Sequence, residues 1–195
     1  MPPTLRGISS SYNTGTPSDG ARSAIRRFHA LTGTLRTICG ENGGKVQMEL
    51  RHDMLTHGVY IVTAQHEGKR GGLAVAWATQ VAVNRILICV GKQSATREMI
   101  LASKAFGVSA LTREQLDIAR SFGTRSSRKV DKFAGLATHT AETGSPLLND
   151  CAATWDCRVE ALFDLDSEKL IVGRVVAAER FKEHYEPLIY REEDY

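Results

Sequence analysis

No apolar run in this 195-residue chain is long enough to span a bilayer, and no basic start followed by an apolar stretch marks a secretory leader. The expectation is a cytoplasmic protein with no membrane partner. The four cysteines, Cys39, Cys89, Cys151 and Cys157, include no C-x-x-C pair and no histidine at metal-site spacing, which argues against a tetrahedral metal centre. Cys89, inside the run ILICV, and Cys157, on the apolar side of an alternating segment, are expected to pack in the core. Neither sign of charge dominates. The 25 basic and 22 acidic residues are interspersed and sum to +3, so the electrostatic footprint of a nucleic-acid binder is missing. There is also no G-x-G-x-x-G and no Walker loop, and strands do not alternate strictly with helices, which disfavours a Rossmann fold.

What is present is ordinary globular material, 42% hydrophobic and 24% charged, in a length that holds one domain with an extension. Residues 1–18 (MPPTLRGISSSYNTGTPS) have few core formers and are expected to be flexible. From Ala21 the apolar residues Ala24, Ile25, Phe28, Leu31, Leu35 and Ile38 keep a helical spacing, with Gly40 as the stop and Gly43 and Gly44 continuing a hinge. The domain plan is therefore a flexible 1–18, a helical extension and hinge over 19–49, and a main domain over 50–195. In that domain strands are predicted at His57–Gln65, from Gly72 through Val81 as one strand, at Ile86–Val90 with both faces buried, at Ala105–Leu111, at Ala153–Ala161 and at Lys169–Ala178, with a short LIY strand last. Helices are predicted from Ser94 to Ser103 and from the Thr112/Gln115 capping box to Gly123. Thr124–Asp150 reads as a long loop with a short helical turn at VDKFAGL, and loops of that length are usually functional. The fold class is mainly β, an antiparallel, Greek-key-like β-barrel with peripheral helices.

One stretch combines two features that suit a flat, phosphate-bearing cofactor. In GGLAVAWATQV, alternation places Ala74, Ala76, Ala78 and Ala82 on one nearly bare face, where either a planar ring or a crossing helix could lie against the backbone. In GKQSAT, Gly91, Lys92, Gln93, Ser94, Ala95 and Thr96 stand at a strand-to-helix junction, whose free N–H groups and helix dipole favour an anion; Ser94 is equally a normal N-cap.

The ordered succession GGLAVAWATQV, ILICVGKQSATREMI, KAFGVSAL, KVDKFAGL, TGSPLLNDCAATWDCRV, KLIVGRVVAAE and LIYREEDY resembles the flavin reductase-like family with the FMN-binding split-barrel fold. The resemblance implies that Ala74, Val75, Ala76, Trp77, Ala78 and Thr79 contact the flavin ring and ribityl chain. It implies that Gly91, Lys92, Ser94, Ala95 and Thr96 hold the phosphate end. Thr79 falls opposite the alanine face, so its contact requires a strand end or bulge. The resemblance further implies FMN or FAD as cofactor, NAD(P)H as electron donor, no catalytic side chain, and a homodimer with Trp155 and the loop around Lys132 as second walls. The function implied is an NAD(P)H-dependent flavin reductase, an oxidoreductase that could serve a monooxygenase. The alternative is a flavoredoxin-like electron carrier to a redox protein, and a non-redox sensor is a third class. One departure stands out: where many relatives carry an Asp-His pair, this chain has Ser167 and Glu168. His139 in the long loop is the other histidine considered near the site.

Overall fold

The computed structural model describes residues 54–195 and, before them, the antiparallel pair β1 (Thr34–Leu35) and β2 (Met48–Glu49). Leu35 is thus in a strand, where the spacing predicts helix; Gly33 interrupts that helical pattern just before it. The rest of the expected extension, the flexible start, the hinge and Cys39 lie outside the described residues.

The main domain starts with a hairpin. β3 (Tyr60–His66) turns through Glu67 and Gly68 into β4 (Lys69–Val75), both turn residues having positive φ, as a tight hairpin requires. The predicted strand from Gly72 to Val81 is two strands. β4 ends at Val75, and β5 (Ala78–Ala82) begins after a turn in which the Ala78 N–H donates to the Ala76 carbonyl. β5 pairs with β6 (Arg85–Gly91), α1 follows (Ala95–Ser103), then β7 (Ala105–Ala110), α2 (Leu116–Thr124), β8 (Thr138–Thr140), β9 (Pro146–Leu148), β10 (Ala153–Asp164) and β11 (Glu168–Arg180).

The seven-stranded sheet has the order β4-β3-β7-β10-β11-β6-β5, antiparallel throughout. β4 and β5 are its two edges, yet only Ala76 and Trp77 separate them in sequence. Two residues reach at most about 7 Å, so the edges must come together and the sheet curls into a barrel. The Cys89 N–H donates to the Trp77 carbonyl at 2.9 Å, fastening the crossing to β6. The break at Ala76 is where one long strand has to change partners.

The sheet buries both faces along β3. Val62 and Ala64 join Ile88, Val90, Phe106, Val108 and Ile171, with Ile100 of α1 packed among them. Ile61 joins a second cluster with Leu111, Phe122, Phe133 and Leu148 beneath α2. β6 alternates instead. Ile86, Ile88 and Val90 are buried while Leu87 and Cys89 are half-buried, so neither β6 nor Cys89 is fully enclosed as the continuous apolar run predicts. A run without polar residues does not reveal which side meets a cavity. Cys157 is fully buried, as expected, and burial pushes its thiol up to about 12.

The long loop carries structure that its polar composition hides. β8 pairs with β9, the Thr63 hydroxyl donates to the Pro146 carbonyl, and the Leu148 N–H donates to Ser109 Oγ at 3.1 Å. VDKFAGL makes a turn over Lys132–Gly135, where a short helical turn is predicted, and LIY makes one bridge, Ile189 to Gly58, after a bridge from Pro187 to Thr112, rather than a strand.

The capping box at Thr112 is present, and Gln115 does more than cap. Its Oε1 accepts from the Thr112 N–H at 2.9 Å and its Nε2 donates to the Asp150 carbonyl at 2.5 Å, in a buried setting. Gln115→Ala is expected to cost about 2 kcal/mol, because it strands two backbone groups away from water. Urea unfolding of the pair measures it, and a loss well below 1 kcal/mol would mean that solvent replaces the side chain.

Candidate functional site

The junction between β6 and α1 is built as the sequence predicts. Ser94 is extended, its Oγ accepts from the Arg97 N–H at 3.4 Å, and its own N–H donates to the Gly91 carbonyl at 3.2 Å. The N–H groups of Ala95 and Thr96 start α1 and have no acceptor within it. Both residues line a cavity of about 280 Å³ with Gly72, Leu73, Gln93 and Ser94 on one side and Phe122, Gly123, Arg125, Ser126, Ser127 and Lys132 on the other. Two residues expected at the phosphate end, Gly91 and Lys92, do not line this cavity. The Lys92 ammonium donates to the Asp166 carbonyl, and its N–H donates to the Ser167 carbonyl at 2.9 Å. Lys92 is drawn to the tip of the β10–β11 hairpin, which the order of residues does not reveal.

The second wall comes from the segment after α2. Ser127 Oγ accepts from the Gly72 N–H at 3.3 Å and donates to the Gly72 carbonyl at 3.2 Å, so the loop is laced to β4. Arg70 reinforces it by pairing with Asp131 at 2.8 Å and lying 4.8 Å over the Phe133 ring, and this pairing holds the Asp131 carboxyl below the usual carboxylate range. Lys132 is 7% exposed. Its Nζ donates to the Gly72 carbonyl at 2.9 Å and the Phe122 carbonyl at 2.7 Å, and burial lowers its pKa to about 8. The absence of a side chain at Gly72 is what lets this wall close, since a Cβ there would stand 2.5 Å from the Phe122 ring.

The predicted ring-contacting residues divide over neighbouring cavities. Ala74, Val75 and Ala76 line one of about 190 Å³ with Val59, Gly123, Tyr190 and Tyr195. Gly123 also borders the helix-junction cavity, so the two adjoin. The Tyr190 and Tyr195 rings stack at 5.4 Å, and burial raises the Tyr195 phenol to about 12. Trp77, Ala78 and Thr79 line a third cavity of about 280 Å³ with His57, Leu87, Cys89 and Leu170. Ala78 and Thr79 also border a fourth, of about 240 Å³, that holds Tyr60 and Trp155. The turn at Ala76 interrupts the alternation, so Ala78 and Thr79 reach the same cavities although strict periodicity separates them. This is the strand break that a Thr79 contact required.

His139 borders none of these four cavities. Its Nδ1 lies 2.7 Å from Asn149 Oδ1 and its ring meets Phe181 edge-on. Glu168 pairs with Gly91 across β11 and β6. Sequence reasoning missed His57, Arg125, Ser126, Ser127, Tyr190 and Tyr195. The length of the loop after α2 was the available signal for the serines and arginine, while nothing local marks His57. Among the described residues no three His, Cys, Asp or Glu side chains gather as a metal site, and no helix is long and apolar enough to cross a membrane.

Chemically, the helix-junction cavity offers unpaired N–H groups, hydroxyls and a lysine to an anion, and the adjoining cavities offer apolar and aromatic walls to a planar body. Residues 50–195 match the family described as "Flavin reductase like domain". The chain is similar to the ferric-chelate reductase (NAD(P)H) of Archaeoglobus fulgidus, 32% identical over 133 residues that cover 66% of this chain and 79% of that protein. It is also similar to HsaB, the reductase subunit of a flavin-dependent monooxygenase of Mycobacterium tuberculosis, 31% identical over 60% of this chain and 63% of that one. Among solved structures it resembles the NADH:FAD oxidoreductase SgcE6 of Streptomyces globisporus C-1027 in complex with NAD and FAD fragments. The TM-score is 0.64 at 27% identity, over 70% of this chain and 81% of that one.

Proposed function

This chain belongs to the flavin reductase-like family, and from that premise we propose that it is an NAD(P)H-dependent flavin reductase whose cofactor site follows β4 and β5 to the start of α1. The observation that carries the site is the cavity at Ser94, Ala95 and Thr96, which joins a helix N-terminus to a buried lysine. Its donors fit a phosphate, and the cavities that follow along Ala74–Thr79 fit a planar ring between small side chains and aromatic ones. The flavin supplies the redox chemistry, accepting a hydride from the reduced nicotinamide.

The chain's own residues bind and orient. Ala95 and Thr96 present backbone N–H groups to the phosphate end, and Ser94 holds the helix start that aims them. Ala74 and Ala76 keep the β4 end of the site free of bulk. The Ala76–Trp77 crossing turns Ala78 and Thr79 toward the ring end. No side chain is needed as nucleophile or proton donor, so rate depends on how closely the two rings are held.

The domain over 50–195 carries this activity, with 1–49 appended. A homodimer is supported by β5, the last strand of the sheet order, on which Val81 is exposed, and by Val83 in the turn that follows, exposed at 96%. A monooxygenase that consumes reduced flavin is a fitting partner, since HsaB is such a reductase subunit.

Purified protein mixed with FMN or FAD is expected to oxidise NADH or NADPH, read as loss of reduced-pyridine absorbance. No oxidation with either nicotinamide would overturn the reductase reading. FMN retained through gel filtration and reduced only by a redox protein would place the chain among electron carriers instead.

A further inference from the structure

Lys132 is more than a wall of the helix-junction cavity. An ammonium has three donors, and the Gly72 and Phe122 carbonyls take two of them, leaving the third for the cavity that Lys132 lines. The Phe122 ring lies 5.7 Å from the same nitrogen. These partners are dipoles and a π-face, and none carries a full negative charge.

The charged groups around Lys132 are committed elsewhere. On β4, Arg70 holds Asp131 at 2.8 Å; on α1, Glu98 is held by Arg128 at 2.7 Å; on α2, Arg120 faces Asp194 at 3.6 Å. Arg97 of α1 acts on Asp164 at the β10–β11 hairpin. Arg125 stands exposed on the cavity wall and adds positive charge. Among the described residues no carboxylate is paired with the buried ammonium, and a ligand's phosphate is the natural counter-ion.

We propose that Lys132 reads the phosphate charge of the flavin, donating its third N–H to a phosphate oxygen, and that binding a phosphorylated flavin is thereby coupled to proton uptake by this lysine. The inference rests on the flavin-binding reading above. Burial alone lowers the lysine to about 8 in the free protein. A phosphate dianion favours the ammonium and raises that value on binding. Below the free value Lys132 is already charged and binding moves no proton. Above it, the free protein must take one up, so affinity falls as pH rises, by up to about tenfold per pH unit until the bound value is reached. The phosphate's own second ionisation, near pH ~6, is complete before that window.

The test is calorimetric titration with FMN and with riboflavin in buffers of different ionisation enthalpy. FMN binding is expected to take up almost no proton near pH ~7 and most of one near pH ~9, whereas riboflavin takes up none at either. Lys132→Met is expected to abolish the buffer dependence and to weaken FMN binding but not riboflavin binding, leaving only the preference that the α1 N-terminus supplies. Lys132→Arg keeps the charge but removes the titration, so FMN should still be preferred, with no proton taken up. FMN binding by the wild type without buffer dependence, or uptake that persists in Lys132→Met, would overturn the proposal. Should the variants fail to fold, the wild-type comparison of FMN with riboflavin decides alone. Failure to bind either flavin would overturn the flavin-binding reading instead.

Discussion

Ser94→Asp is expected to weaken FMN binding by about 100-fold while the protein stays folded. Aspartate is as good an N-cap as serine, so its carboxylate can accept the Arg97 N–H that Ser94 Oγ now accepts at 3.4 Å and keep α1 in place. The same carboxylate would face a phosphate drawn to the helix N-terminus. Two like charges about 5 Å apart, at an effective dielectric of about 20, repel by roughly 3 kcal/mol, and each 1.4 kcal/mol is a factor of ten. Fluorescence titration with FMN and riboflavin reads the effect, and circular dichroism reads the fold. Riboflavin, which has no phosphate, should bind the variant as it binds the wild type. Unchanged FMN affinity would show that the phosphate lies away from α1, and equal losses for both ligands would point to a displaced helix rather than to repulsion.

The second large effect is on folding. Gly173→Ala is expected to lower stability by about 3 kcal/mol and the melting temperature by roughly 10 °C. A Cβ at Gly173 would stand 2.4 Å from the tip of the Phe106 ring and 2.9 Å from the Cys157 Cβ, and both of those residues are fully buried. Neither neighbour is free to move. Gly173 sits in β11 between Val159 of β10 and Ile86 of β6, so the clash would be transmitted to the centre of the sheet. Thermal and urea unfolding measure the loss. Adding Phe106→Leu should recover part of it, because the shorter side chain makes room for the methyl, and that coupling identifies the ring as the obstacle. A Gly173→Ala protein as stable as the wild type would show that the ring can swing aside.

Gly173 also illustrates how much a sequence can say. A glycine in the middle of KLIVGRVVAA announces either a bend or a close approach, and the approach of Phe106 is the one realised, next to a register shift between Val159 and Ala161. The capping box at Thr112 and Gln115 and the N-cap at Ser94 were readable for a simpler reason. Each depends on residues three or four apart, within reach of any local pattern.

Local patterns fall short where a long-range partner decides the outcome. Alternation from Gly72 to Val81 describes one strand correctly until Ala76, where the chain leaves the β3 side of the sheet and joins β6 at the opposite edge. Nothing in a run of small and apolar residues marks that exchange. Lys92, beside a helix start, reads as a phosphate ligand. Its long side chain reaches instead the carbonyl at the β10–β11 tip, 74 residues later in the chain.

The sequence by itself determined local devices: the strands apart from β8, β9 and the break at Ala76, where helices begin, and that Ser94–Thr96 opens a helix next to a strand end. The order of its motifs identified the family and, through it, a flavin as the cofactor. The resemblance implied the loop around Lys132 as a second wall, and only the tertiary structure decided which of its residues stand opposite α1. Arg125, Ser126, Ser127 and Lys132 meet the start of α1 because Ser127 and Lys132 bond to Gly72 across 55 and 60 residues. The physical reason is range. Capping and alternation are read within a turn of helix or a few residues of strand. A cavity exists only where segments distant in sequence pack, and Gly91–Thr96, read alone as an anion site, gains its buried lysine from a loop that no local pattern places there.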